Sequence, residues 1–240
     1  MQRNVFDFFG RRIELWTHPE PDHIATVISR SKNWYEADVL MKCQEIYLPG
    51  TAVVDVGANI GNHTVFFATV LGATVHAFEP YQSNYDLLLM NLAANRLEGQ
   101  VAAHCCAIGD ENGQGTTDVV HSDNLGRVRV RPGEGDVIVR RLDDLAIPRP
   151  IGLLKVDVEG SEVAVLRGAA SLITNWLPDI VIEAAQIEEF NAVARTMLGL
   201  GYVPNGRYAW TPTYLFRAID QGRRLRAIFS HFAREGGEGL

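Results

Sequence analysis

The fold of this chain follows from one stretch of sequence, Val53-Val54-Asp55-Val56-Gly57-Ala58-Asn59-Ile60-Gly61. Its first residues have the β-branched character of a buried strand, and a helix-like pattern follows the second glycine. A strand, a glycine turn and a helix together form a nucleotide-cradling unit, because glycines let the backbone approach a ligand and the helix start offers free N–H groups. The spacing is not the Gly-x-Gly-x-x-Gly of dinucleotide-binding proteins, which argues against an NAD-dependent oxidoreductase.

Composition and charge limit the class of protein. The 240 residues are 47% hydrophobic, as expected for one large α/β domain or a domain with a small appendage. The net charge of −7 argues against a broad nucleic-acid surface. We expect neither a signal peptide nor a membrane span. We interpret Cys43, Cys105 and Cys106 as buried small side chains rather than disulfide or zinc ligands, and expect a reducing, cytoplasmic setting.

Strand-like and helix-like segments alternate along the chain, which predicts a mostly parallel sheet with helices on both faces. After a hairpin at 4–16, the predicted strands are 52–56, 74–78, 101–108, 137–142, 151–158, 177–184 and 208–216. The predicted helices are 21–30, 36–47, 62–71, 83–95, 161–166 and 187–200. Asn62 is expected to cap the helix after the glycine turn, and Gly72 to end it. Residues 109–136 are rich in Gly, Asp and Asn with short β-like runs, which predicts an insertion or a β-excursion.

Carboxylates stand where predicted core strands end, and the ligand of an open α/β sheet lies beyond those ends. Asp55 ends the first core strand and can orient the glycine loop, although a plain turn carboxylate would occupy the same place. Glu79 follows the second strand, eighteen residues after Gly61, where a carboxylate can accept hydrogen bonds from both ribose hydroxyls. The alternative for Glu79 is an exposed charge ahead of Pro80.

A second signal is residues 154–162, Leu-Lys-Val-Asp-Val-Glu-Gly-Ser-Glu. Lys155, Asp157 and Glu159 alternate and therefore share one face while the strand lasts. Burying three charges in a central parallel strand is costly unless they pair with one another or meet a ligand. An ion pair of Lys155 with either carboxylate could serve structure, or could belong to the site. Glu162 lies in a first helical turn, where the helix dipole alone would favour it.

Four motifs occur together in one order: residues 54–61, Phe78-Glu79-Pro80, residues 141–145 (Arg-Leu-Asp-Asp-Leu) and residues 154–162. In that combination the chain resembles the FkbM family of S-adenosylmethionine-dependent methyltransferases, over residues 34–185. The resemblance implies an α/β fold, with a doubly wound, mostly parallel seven-stranded sheet of the class I methyltransferase type and a small N-terminal hairpin and helical cap. It also implies methyl transfer from S-adenosylmethionine, usually to a hydroxyl of a sugar, glycolipid or natural product.

The resemblance implies roles for individual residues as well. Trp34-Tyr35-Glu36 looks like the N-terminal motif that covers the cofactor pocket in that family, although it could simply begin an amphipathic helix. The implied cofactor-binding residues are Glu36, Asp55, Gly57, Asn59, Gly61, Asn62, Glu79, Pro80 and Asp157. The implied catalytic residues are Glu159, Asp157, His63 and Lys155, with the proton acceptor sought among the first three in that order. His63 could equally be a packed imidazole. We predict no metal, and interpret Asp143 and Asp144 as a helix cap.

Several questions stay open at the level of sequence. We divide the chain into an N-terminal cap (1–48), a methyltransferase core (49–217) and a C-terminal helix with a mobile tail (218–240). That helix has an apolar side flanked by arginines, which could contact a membrane surface, but we favour packing on its own domain or on a second subunit. A non-catalytic cofactor-binding or assembly subunit is the other alternative. The acceptor, a small molecule, glycan or glycolipid, is expected to meet residues 17–36, 109–136 and 205–216, with Glu183 facing it. A homo-oligomer is possible.

Overall fold

The computed structural model describes residues 1–19, 22–121, 124–147 and 150–235, and its strands and helices alternate as predicted. The strands are β1 (Gln2–Phe8), β2 (Arg11–Thr17), β3 (Ala52–Val56), β4 (Val75–Phe78), β5 (Val101–His104), β6 (Ala107–Ile108), β7 (Gly113–His121), β8 (Asn124–Pro132), β9 (Val137–Arg140), β10 (Ile151–Val156), β11 (Asp179–Glu183), β12 (Tyr202–Tyr208) and β13 (Thr213–Ala218). The helices are α1 (His23–Ser31), α2 (Ala37–Ile46), α3 (Asn62–Thr69), α4 (Gln82–Ala94), α5 (Glu162–Gly168), α6 (Ala170–Trp176), α7 (Ile187–Gly199) and α8 (Gln221–Glu235), with a short 3-10 helix at Leu142–Asp144.

Seven strands form the central sheet in the order β12-β13-β11-β10-β3-β4-β5. The five strands from β11 to β5 run parallel, whereas β13 is antiparallel to β11 and pairs with β12 as a hairpin. The predicted mostly parallel, seven-stranded sheet is therefore confirmed. The carboxyl ends of β3, β4 and β10 lie side by side, and the residues that follow these three strands meet at one edge.

The sheet separates two apolar cores, because successive residues of a strand point to opposite faces. Val53 and Leu153 pack in one core with side chains of α3 and α4, while Val54 and Leu154 pack in the other with side chains of α5, α6 and α7. All five residues of β3 are buried, as a central parallel strand requires.

The N-terminal hairpin and the first two helices pack on the core that contains α3. The Trp34 ring meets Phe6 edge-on at 5.3 Å and Phe66 edge-on at 5.4 Å between centroids. The Asn91 side chain of α4 accepts the N–H of Trp16 at 2.6 Å and donates to the carbonyl of Ile60 at 2.7 Å. One side chain thus connects the hairpin to the glycine loop. The division into cap, core and tail stays a prediction.

Two predicted strands are divided in the structure. The predicted strand 101–108 is β5 in the central sheet and then β6, which joins a second sheet in the order β6-β9-β7-β8. That sheet contains most of the predicted β-excursion. The predicted strand 208–216 was wrong, because it runs through the turn between β12 and β13. The sequence hides this turn because Ala209, rather than a glycine, takes the left-handed conformation at φ +61°.

Three smaller predictions were also wrong. Gly61 (φ +89°) is the N-cap of α3, so Asn62 is a helical residue and does not cap it, and the helix ends at Thr69 before Gly72. Cys105 is exposed, because it lies between β5 and β6 rather than inside one strand. The helix α6 was not predicted. The predicted mobile tail was 234–240, but residues 234 and 235 end α8. The predicted start of the first helix at Pro21 and the rest of that tail lie outside the described residues.

The C-terminal helix packs on its own domain. Arg224 pairs with Asp179 of β11 at 2.8 Å, and Ile228 is fully buried. The favoured interpretation of this helix therefore holds for one of its sides, while Leu225 and Phe229 remain exposed. Within the part of the chain that the structure describes, every helix is too short or too polar to cross a bilayer.

Candidate active site

The glycine loop after β3 is shaped by two glycines. Gly57 has φ +78°, and a Cβ at this position would lie 1.7 Å from the carbonyl oxygen of Asp157. Gly61 has φ +89°, and a Cβ there would lie 2.6 Å from Leu88 Cδ1. The Gly57 N–H donates to the carbonyl of Phe78 at 2.9 Å. The glycines therefore let the loop fold against β4, β10 and α4.

Glu79 is buried beneath that loop. Its Oε2 accepts the N–H of Asn59 at 2.8 Å, its Oε1 accepts the N–H of Tyr81 at 2.9 Å, and the side chain is 4% exposed. Burial raises the pKa of Glu79 to about 7, although both backbone donors oppose the shift. The alternative of an exposed charge is therefore wrong. Glu79 lines the cavity, and its carboxylate is already oriented by the backbone.

Two further side chains support Glu79, and the sequence analysis missed them. Asn84 of α4, 1% exposed, hydrogen bonds to the Glu79 carboxylate. Its Oδ1 lies 2.8 Å from Nε2 of the buried His18. The N-terminal segment is thereby connected to the strand end of β4. An asparagine in a first helical turn looks like an ordinary cap residue in sequence, so nothing in the pattern pointed to this contact.

Lys155 is the centre of the buried charges. Its Nζ donates to the carbonyl of Gly57 at 2.6 Å and lies 3.3 Å from Asp55 Oδ1 and 3.4 Å from Asp157 Oδ2. Asp55 also accepts the hydroxyl of Thr64 at 2.6 Å. Burial alone would lower the pKa of Lys155, but the two aspartates outweigh it and the pKa lies above its ordinary value. The lysine ties the ends of β3 and β10 to the glycine loop.

The segment around Glu36 is clamped onto the start of α3. The Asn62 side chain accepts the N–H of Tyr35 at 3.1 Å and donates to its carbonyl at 3.0 Å. Glu36 has φ +53° and lies 3.5 Å from His63 Nε2. Burial and the neighbouring Asp157 raise the pKa of Glu36 to about 8, whereas burial and Lys155 lower the pKa of His63 to about 3. The pair is therefore a neutral imidazole beside a carboxyl that holds its proton readily.

A cavity of about 590 Å³ opens at the strand ends. Among the predicted site residues, those that line it are Gly57, Asn59, Glu79, Pro80, Asp157 and Glu159. The others, Glu36, Asp55, Gly61, Asn62, His63 and Lys155, support the lining from behind. Tyr35, His23, Thr211 and residues 106–114 complete the walls. The predicted acceptor regions 17–36, 109–136 and 205–216 each contribute to the lining.

Three carboxylates meet on the cavity wall. Oxygen atoms of Asp157, Glu159 and Glu183 lie within 4.8 Å of one another. Burial, followed by repulsion from Asp157 and Glu159, raises the pKa of Glu183 to about 10. Glu159 has φ +53°, a conformation that costs energy for a non-glycine residue and is often found at functional sites. The three residues can share a proton, and their spacing would also accept a cation.

Three other acidic residues make contacts within the fold. Asp143 accepts the N–H groups of Ser171 and Leu172, each at 2.9 Å, and so caps α6 as a helix-cap interpretation requires. Asp144 accepts the Asn112 amide at 2.7 Å. Glu162 is buried in the first turn of α5 and accepts the N–H of Gly160 at 2.8 Å. The prediction that the enzyme uses no metal stays a prediction.

The chain is similar in sequence to known proteins. Residues 55–204 match the family described as the methyltransferase FkbM domain. The chain is 31% identical over 177 residues to the 31-O-demethyl-FK506 methyltransferase FkbM of Streptomyces tacrolimicus, with 58% of this chain and 67% of that protein covered. It is 30% identical over 149 residues to the hexuronic acid methyltransferase AglP of Haloferax volcanii, with 58% of each chain covered.

A solved structure shows the same fold. The methyltransferase FkbM from Methylobacillus flagellatus superposes with a TM-score of 0.54 at 20% identity, covering 74% of this chain and 50% of that one. The chain therefore spans half the length of that protein. At this level of identity the likeness concerns the fold alone.

Proposed function

The chain belongs to the FkbM family of S-adenosylmethionine-dependent methyltransferases, and we propose that it methylates a hydroxyl oxygen of a sugar, glycolipid or other natural product. One observation carries the proposal: a buried carboxylate for the cofactor and a group of carboxylates for the acceptor proton line the same cavity. The relative from Streptomyces tacrolimicus bears the name of an O-methyltransferase of a natural product, and AglP that of a sugar-acid methyltransferase. These names support an oxygen acceptor.

The donor side fits S-adenosylmethionine. We assign Glu79 to the two ribose hydroxyls, because its carboxylate is held at the end of β4 by backbone N–H groups of Asn59 and Tyr81. Gly57 lines the cavity and Gly61 lies behind it, and a side chain at either would collide with the protein. Asp55, Lys155 and Asn62 act as positioning residues, since each holds the loop or its cover without lining the cavity. When bound, the cofactor supplies a methyl group on a positively charged sulfur.

We assign the removal of the proton from the acceptor hydroxyl to the carboxylates. A hydroxyl that gains a methyl group loses its proton, so the site needs a base within reach. Glu159 remains the first candidate and Asp157 the second, because both lie on the cavity wall beside Glu183, whose pKa of about 10 keeps it protonated. These carboxylates gain affinity for a proton when the positive charge of the sulfonium is lost during methyl transfer. His63 is not suited to this role, because its lowered pKa makes it a weak base and it does not line the cavity.

The rival functions, an NAD-dependent oxidoreductase and a non-catalytic subunit, differ from methyl transfer in the ligand that is bound or in the absence of product formation. Thermal unfolding with S-adenosylhomocysteine at about 100 times its dissociation constant should add roughly 2.7 kcal/mol, a shift of about 5–10 °C for a domain of this size. NAD and NADP should give no shift. A shift with a nicotinamide nucleotide alone would overturn the methyltransferase assignment.

Turnover is tested with S-adenosylmethionine and a panel of hydroxyl-bearing glycosides, by S-adenosylhomocysteine release and the mass gain of one methyl group. Glu159→Gln should lose product formation by about 100-fold or more, as expected for removal of a general base, while the thermal shift with S-adenosylhomocysteine persists. The matched control is Glu188→Gln, an exposed carboxylate of α7 outside the cavity. Equal turnover in both variants would remove Glu159 from the base role. Wild-type protein that binds the cofactor but methylates no acceptor would favour a non-catalytic subunit.

A further inference from the structure

We infer that the acceptor is uncharged or carries an ammonium group, and that the site excludes acceptors bearing a carboxylate or phosphate; this rests on the proposed methyl transfer to a hydroxyl. The reason is the charge of the cavity wall. Its acidic lining residues are Glu79, Asp110, Glu111, Asp157, Glu159 and Glu183, and the described lining residues include neither lysine nor arginine. An anionic acceptor would approach like charges with no cation to receive it.

Lys155 does not change this balance. Its ammonium group is buried behind the lining and already contacts Gly57 O, Asp55 and Asp157 within 3.4 Å. An ammonium group has three donors, and these three partners match that number. An acceptor carboxylate could reach Lys155 only by displacing an aspartate that holds the strand ends together.

The cofactor does not change the balance either. S-adenosylmethionine carries a sulfonium, an ammonium and a carboxylate, so its net charge is +1. The product left after methyl transfer, S-adenosylhomocysteine, has no net charge. Burial favours the protonated forms of Glu79 and Glu183. Even with Asp157 counted against Lys155 and Asp110 against Arg167, Glu111 and Glu159 outnumber the single positive charge of the donor. The acceptor therefore meets a negative wall before and after transfer.

Part of this wall lies outside the proposed catalytic machinery. Asp110 and Glu111 follow β6, on the side formed by the second sheet, and both are exposed. Asp110 lies 3.9 Å from Arg167 at the surface. Glu111 can therefore be replaced without disturbing a buried contact, which makes the charge of the wall testable separately from catalysis.

The test uses three phenyl β-glycosides of one sugar scaffold: the neutral glucoside, the glucuronide with a carboxylate in place of the C6 hydroxymethyl group, and the glucosaminide with an ammonium group in place of the C2 hydroxyl. Binding to the S-adenosylhomocysteine-saturated protein is measured by saturation-transfer NMR in buffer with EDTA, which removes any cation that could bridge a uronate. We expect the glucoside and glucosaminide to bind and the glucuronide to bind at least about tenfold more weakly. Glucuronide binding equal to that of the glucoside, or no difference among the three, overturns the inference.

A second test reverses one charge of the cavity wall and looks for a gain of binding. Glu111→Lys should raise affinity for the glucuronide by about tenfold or more and leave the glucoside unchanged. The control Glu98→Lys makes the same change in net charge at an exposed position outside the cavity and should not raise it. A rise in both variants would assign the effect to overall charge and overturn the inference. The thermal shift with S-adenosylhomocysteine reports on the proposed function separately, since it requires no acceptor.

Discussion

The two halves of the cavity are built in different ways. The half that we assign to the donor is made mostly of backbone: glycine turns, N–H groups directed at Glu79, and a lysine that fastens the ends of β3 and β10. The half that we assign to the acceptor is made of side chains brought together from β10, β11 and the second sheet, with Asp157, Glu159 and Glu183 at its centre. A backbone site tolerates little change at a few positions. A side-chain site can change its charge and its substrate while the fold is kept.

The largest effect is expected in the donor half, at Gly57. Gly57→Ala should weaken S-adenosylhomocysteine binding by at least about 100-fold, which corresponds to about 3 kcal/mol, because the added Cβ would lie 1.7 Å from the Asp157 carbonyl oxygen. Gly72→Ala is the control: its φ of +67° imposes similar backbone strain, but nothing lies within 4 Å of its Cβ. Isothermal titration calorimetry compares the two. Equal losses would show that strain alone, and not the close approach to β10, makes the loop glycine necessary.

A second prediction tests the side-chain half through pH. The pKa values of Glu183 and Glu36 are raised to about 10 and about 8, so the folded protein keeps protons that the unfolded chain releases above about pH 4.5. This stabilisation is fully present below the unfolded pKa and is lost as pH rises toward the folded pKa. The free energy of unfolding without ligand should therefore fall between pH 7 and pH 9. His63 does not contribute in this window, since it is neutral in both states.

Glu183→Gln should make that fall shallower, by up to about 1 kcal/mol per pH unit in urea unfolding, because one proton fewer is linked to folding. Glu188→Gln, at an exposed position of the neighbouring helix α7, should keep the wild-type slope. If the free energy of unfolding of Glu183→Gln falls with pH as steeply as that of the wild type, the three carboxylates do not share a proton. The side-chain half would then not differ from the backbone half in its electrostatics.

The contrast between the halves also explains what the sequence could predict. Asp55, Gly57, Glu79 and the alternating Lys155 and Asp157 lie in short contiguous motifs, so their joint position at the strand ends follows from the order of strands and helices. The acceptor half depends on contacts between distant segments. Glu183 was expected to face the acceptor because it ends a predicted strand, but its approach to Asp157 and Glu159 depends on the parallel pairing of β11 with β10.

Other features had no local signal. The division of β5 and β6 and the turn at Ala209 depend on tertiary packing, and the first of these brings residues 106–114 to the cavity wall. His63 shows the opposite limit: its place in the first turn of α3 was predicted, but its burial, on which we base its proposed exclusion from proton transfer, could be seen only in three dimensions.

The smallest effect is expected where the N-terminal segment supports the donor half. Asn84→Asp replaces an amide donor with a carboxylate beside Glu79, which should raise the pKa of Glu79 further and favour its protonated form. S-adenosylhomocysteine affinity should fall by about tenfold, on the order of 1 kcal/mol, and more strongly at pH 6 than at pH 8. Ser83→Asp adds the same charge at the exposed neighbouring position and should have little effect. If Asn84→Asp binds like the wild type at both pH values, the backbone N–H groups of Asn59 and Tyr81 are sufficient to hold Glu79. The donor half would then be a backbone site throughout, and His18 and Asn84 would serve only to pack the N-terminal segment against α4.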